Sequence, residues 1–128
     1  MLDKMMSQLG REFDMEDVIT QTEDQHYLVP FDNNMEIEAF EKNQSCLLNG
    51  IIGERPMQNA ESFLLKVMEA NLFGIGTRGA VIGLKEDGKQ LTLSLEVDYN
   101  ISYKDFKEKL EDFISVMDFW RNEALKHE

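Results

Sequence analysis

Apolar residues near the start of the chain recur at three- and four-residue intervals. Leu2, Met5, Met6, Leu9 and Phe13 share one side of a helix, and Asp3, Lys4, Gln8, Arg11 and Glu12 fill the other. The spacing predicts a first helix from Leu2 to Asp14, then an acidic, polar connection from Glu16 to Gln25. Tyr27 to Phe31 is a short apolar run, but Pro30 cannot donate to a ladder, which predicts an edge or irregular strand. Asp32-Asn33-Asn34 has turn chemistry. Met35, Ile37 and Ala39 alternate with Glu36 and Glu38, the pattern of a strand with one wet face. Its charges and its proline-bearing neighbour mark that strand as an edge. Cys46 to Ile52 is almost continuously apolar and fits a central strand covered on both faces.

The second half is more regular. After Pro56, Asn59 is a plausible helix N-cap. Phe63, Leu64, Val67, Met68 and Leu72 then predict a helix from Ala60 to Phe73, with Gly74 as its left-handed stop. Ala80 to Leu84 and Gln90 to Val97 flank Asp87-Gly88, the clearest hairpin signal in the chain. Leu91, Leu93, Leu95 and Val97 point one way on its second arm, so a one-residue slip would invert the face. Ser102-Tyr103-Lys104-Asp105 resembles a capping box. Phe106, Leu110, Phe113, Met117 and Trp120 form one stripe of a last helix running to Lys126, ~36 Å long at ~1.5 Å per residue. The expected order is α-β-β-β-α-β-β-α, an α+β fold in which helices cover an antiparallel twisted sheet.

With 128 residues, the chain is sized for a single domain spanning 1–128. Against 25 acidic residues stand 13 Lys and Arg, a net charge of −12. That balance disfavours nucleic acid and anionic lipid surfaces, which need clustered cations. It also suits a protein that must keep an apolar patch soluble. Cys46 is the single cysteine, so no intrachain disulfide can form, and its apolar setting marks an inert thiol. Charges interrupt the first residues, and no apolar run reaches the ~18 residues of a membrane span, so a cytoplasmic protein is expected.

No motif carries enzyme chemistry. Gly74-Ile75-Gly76-Thr77-Arg78-Gly79 matches a dinucleotide fingerprint literally, but a helical pattern precedes it and a strand follows, the reverse of what the mechanism needs. A phosphate there would meet a helix C-terminus, whose partial charge repels it. Glu96, near the spacing of a ribose-binding acid, lies in a strand of the wrong unit. A Cys46–His26 dyad is disfavoured by the buried character of Cys46, and His127 sits beside a terminus. Asp32, Asn34 and Glu36 imitate the start of a calcium loop without its glycine or distal glutamate. No zinc-like grouping exists. No catalytic residue, metal or cofactor is expected; binding through surface remains.

Met68-Glu69-Ala70-Asn71-Leu72-Phe73-Gly74 and Gly79-Ala80-Val81-Ile82-Gly83-Leu84, with Asp87-Gly88, Leu91-Thr92-Leu93-Ser94 and Asp118-Phe119-Trp120-Arg121, resemble the class I type III secretion chaperones of the Tir-chaperone (CesT) family. The resemblance spans nearly the whole chain, though the first third matches in pattern only. It implies a non-enzymatic, bacterial cytoplasmic homodimer that holds the N-terminal region of a secreted effector extended, soluble and secretion-competent. The dimer interface it implies comprises Phe63, Val67, Leu72, Phe73, Ile75, Val81 and Ile82. The effector contacts it implies are Met6, Leu9, Phe13, Leu28, Phe31, Met35 and Ile37, on the first helix and the sheet. A related chaperone subunit could replace the second copy. The alternative on the same fold is a regulatory or scaffold subunit that acts through a heterodimer or a folded partner.

Overall fold

A computed structural model describes residues 2–31, 35–58, 60–74 and 76–126. Its elements are α1 (Leu2–Phe13), β1 (Thr20–Glu23), β2 (His26–Phe31), β3 (Met35–Lys42), β4 (Ser45–Glu54), α2 (Ala60–Phe73), β5 (Val81–Leu84), β6 (Gln90–Val97) and α3 (Tyr103–Lys126). The fold is α+β, as the apolar pattern predicts, with one strand more than expected. The strands form a single antiparallel sheet in the order β1-β2-β3-β4-β6-β5. The chain meanders through four strands, crosses by way of α2 to the far edge, and returns as β6 beside β4.

One face of this sheet is covered. Tyr27, Val29, Met35, Ile37, Ala39, Cys46, Leu48, Ile52, Leu91, Leu93 and Val97 are buried against the helices. The long stripe of α3 supplies Phe106, Leu110, Phe113, Met117 and Trp120, all buried, with Ala124 extending it by one turn. Full burial of each such aliphatic or aromatic side chain is worth about 1.5–3 kcal/mol. α3 lies close on β4 because position 50 is glycine: a Cβ there would meet the Met117 sulfur at 2.5 Å. Ser102 caps α3 as expected, its hydroxyl accepting from the Asp105 N–H at 3.2 Å.

Four expectations change. The polar segment Glu16–Gln25 contains β1, whose four residues are all exposed and exist as a strand only through pairing with β2. β2 is therefore not an edge along its whole length. The β1 pairing stops at Leu28, so Pro30, paired with Glu36 on the other side, lies beyond it, where a missing N–H costs nothing. β3 is not an edge at all, since it sits between β2 and β4, and its glutamates point to the uncovered face rather than outward in the sheet plane. β4 is central but covered on one face only. Cys46, Leu48, Gly50 and Ile52 are buried, while Leu47 and Asn49 are half-buried and Ile51 is exposed.

The local stops behave as their chemistry dictates. α1 ends at Phe13, one residue early, where Asp14 turns into the left-handed region. Gly74 takes φ 68° and donates to the Ala70 carbonyl at 2.8 Å, ending α2. In the β5–β6 hairpin the Asp87 carboxylate accepts from the Lys89 N–H at 2.8 Å. The expected cap Asn59 and the turn Asp32–Asn34 lie outside the described residues, as do Ile75 and His127.

Candidate binding surfaces

α1 is held at both ends by polar contacts that leave its apolar stripe turned inward. The Glu41 carboxylate accepts from the Leu2 N–H at 2.6 Å, meeting the positive end of the helix. Asp3 accepts from the Tyr27 hydroxyl and the Gln25 amide. At the other end Glu12 accepts from the Tyr103 hydroxyl at 2.5 Å and from the Lys107 ammonium at 2.6 Å. Those two bonds, the Lys107 one first, pull the Glu12 carboxyl below its ordinary range. Burial, and then the bond to Glu12, push the Tyr103 phenol up to about 12. Met5 and Met6, which the sequence offers as adaptable contact residues, are buried in the protein's own core. The stripe caps the sheet.

Beside that clasp lies an apolar groove of about 440 Å³ between α1, the end of β2 and α3. Leu9, Phe13, Met15, Phe31, Leu110 and Ile114 line it, with Lys107 and Glu111 at its rim. Phe13 is 48% exposed, and the Lys107 ammonium stands 5.7 Å from its ring centre. Of the seven effector positions implied by the resemblance, Leu9, Phe13 and Phe31 meet here. Met35 and Ile37 are buried in the core, and Met6, also buried, lines a separate hollow of about 400 Å³ beside Gly10, Ile19 and Tyr27. Leu28 lies on the opposite, uncovered face of the sheet, across from Glu38. Sequence periodicity names all of these as apolar positions but cannot say which of them the core consumes.

The second surface is on α2. Only Phe63 and Val67 of this helix are buried; Leu65, Met68 and Leu72, spaced three and four residues apart, stay exposed, the last at 77%. Phe73 and, on β5, Val81 are exposed as well, while Ile82 is buried. The implied interface set therefore divides. Phe63, Val67 and Ile82 support the surface from beneath, and Leu72, Phe73 and Val81 form it together with Leu65 and Met68, which the implied set does not include. Asn71 fixes the geometry. Its side-chain amide donates to the Ile82 carbonyl and accepts from the Ile82 N–H, each at 2.9 Å, so the helix closes the sheet's outer edge at that point.

A helix precedes the 74–79 glycine segment and a strand follows it; the Gly76 carbonyl accepts from the Trp120 indole at 3.0 Å. Cys46 and His26 point to opposite faces of the sheet. Cys46 is opposite Val97 on the covered side, whereas His26 stacks on Phe40 and pairs with Glu38 at 3.0 Å on the open side. Burial, and then nearby Glu41, push the Cys46 thiol up to about 11. Among the described residues no three His, Cys, Asp or Glu side chains converge as a metal site, and no helix is long and apolar enough to cross a membrane.

The family model of the Tir chaperone protein (CesT) family matches residues 4–121. The chain belongs to that family. Among curated proteins no sequence matches it. Solved structures with the same fold include a chain of the ExsC–ExsE complex, 10% identical, with a TM-score of 0.79 over 96% of this chain and 92% of that one. A chain of the HopA1–SchA chaperone–effector complex is 15% identical, with a TM-score of 0.74 over 94% and 92%. The structure of the Yersinia pestis type III secretion chaperone SycH with a fragment of YscM2 matches over 100% of both chains, 17% identical, with a TM-score of 0.68. At such identities the shared property is the fold, and the family assignment rests on the sequence model.

Proposed function

We propose that this CesT-family chain is a non-enzymatic, cytoplasmic bacterial chaperone that binds the N-terminal region of a type III secretion effector and keeps it extended, soluble and secretion-competent. The observation that carries this reading is apolar surface left uncovered in a member of a chaperone family: the Phe13 groove and the Leu65–Met68–Leu72 face. These are two separate surfaces on different elements, as a protein needs if it is to pair with a second copy and hold a client as well. The α2 and β5 surface serves self-association as a homodimer, and the groove between α1 and α3 takes apolar side chains of the effector. An extended client loses little intramolecular structure when it binds, and ordering it costs several kcal/mol, about 2–5, which buried apolar area must offset.

The test is purification of the tagged chain from its native cell, followed by limited proteolysis of whatever accompanies it. A secreted protein whose N-terminal segment becomes protease-resistant only in the complex is the expected result. A chain that elutes as a monomer at micromolar concentration and retains no secreted protein overturns the proposal.

A further inference from the structure

The face of the sheet opposite the helices is uncovered, and it is not featureless. A depression of about 400 Å³ crosses β2, β3, β4 and β6. Leu28 stands on one side of it and the exposed Ile51 on the other. Between them β3 presents Glu36 and Glu38, two residues apart on the same face and so roughly 7 Å apart along the strand. Glu38 is engaged by the His26 imidazole at 3.0 Å, while Glu36 is exposed and makes no ion pair among the described residues. Among the described residues, Lys85, at the hairpin end, is the one cation lining the depression.

We infer that this open face docks a basic amphipathic polypeptide segment, its aliphatic side chains against Leu28 and Ile51 and its Lys or Arg groups on Glu36 and Glu38. The occupant follows from charge complementarity. Two carboxylates side by side repel each other, and a cation placed between them relieves that repulsion while aliphatic contacts on both flanks exclude water. An acidic or purely apolar segment would leave the exposed Glu36 carboxylate uncompensated. The inference rests on the chaperone reading in so far as the segment belongs to the client, and it adds a face on the far side of the sheet from the Phe13 groove.

The experiment is fluorescence anisotropy of the full chain with a labelled 18-residue Leu/Lys amphipathic peptide and its Leu/Glu counterpart at about 100 mM salt. The Leu/Lys peptide is expected to bind and the Leu/Glu peptide not to. Glu36→Gln/Glu38→Gln should weaken binding about fivefold or more, whereas Glu61→Gln/Glu108→Gln, which removes the same charge from the helices, should change it less than about twofold. Glu36→Gln alone, which leaves the His26 contact in place, should show part of the same loss. Equal weakening by the two double variants means attraction to net charge only and overturns the inference, as does the absence of Leu/Lys binding. Loss through Phe13→Asp but not through Glu36→Gln/Glu38→Gln also overturns it and leaves the chaperone reading standing, with the groove as the peptide's site.

Discussion

At the scale of single residues, position 50 decides how closely α3 can approach the sheet. A Cβ at Gly50 would lie 2.5 Å from the Met117 sulfur and 3.4 Å from Phe113 Cε1, and both side chains are buried in the core. Gly50→Val should therefore cost about 1–3 kcal/mol, seen as a lower urea midpoint at unchanged m-value. An unchanged midpoint would mean that α3 slides freely over β4. Glu12 governs a different property. Its carboxyl is held below the ordinary range by Lys107 and Tyr103, so its contribution to stability is present above that range and is lost as pH falls through the depressed value. Glu12→Gln should thus lower stability at neutral pH, converge with the parent as pH falls through the depressed value, and give a shallower acid limb in pH-dependent unfolding. Parallel curves for the two proteins would show that the clasp contributes nothing to folding.

At the scale of elements, legibility followed contact with the core. α3 and β6 are plain in the sequence because each repeats apolar residues at the period of its own backbone and the core enforces that period, whereas α2 is legible although only Phe63 and Val67 enter the core. β1 is not, because Thr20–Glu23 buries nothing and owes its shape to a neighbour. The place of β3 inside the sheet escaped for a related reason: alternation reveals which face is wet but not which strands lie alongside. Asn71 gave no signal either, since a polar residue late in a helix reads as solvated surface. Its two bonds to Ile82 are tertiary, and they make it the joint between α2 and the edge strand β5. Asn71→Ala should cost about 1–3 kcal/mol by leaving that edge unpaired. Hydrogen exchange should speed up at the Ile82 amide and leave β3 protected; unchanged exchange at Ile82 would mean that water replaces the side chain without loss.

At the scale of the whole molecule, the sequence marks the apolar positions but not how they divide between core and surface. Residues such as Met6 and Ile37 look identical in pattern to Phe13 and Leu72, yet the first two are consumed by the core and the second two remain outside it. That division makes the two surfaces separable by mutation, because charge introduced at an exposed position does not enter the core. Leu65→Asp/Leu72→Asp places like charges on a stripe that a two-fold interface would bring against its own copy, in a chain already carrying −12. Sedimentation should then report a mass near the 14.9 kDa of one chain instead of twice that value, with the thermal midpoint of the isolated subunit as the check on folding. Phe13→Asp should do the opposite, leaving the dimer whole while the client segment is lost from the co-purified complex. If the α2 variant stays dimeric, self-association must use another face. If both variants lose client and partner together, then one continuous surface serves both, and a chaperone with separate sites for its copy and its cargo is not what this fold builds.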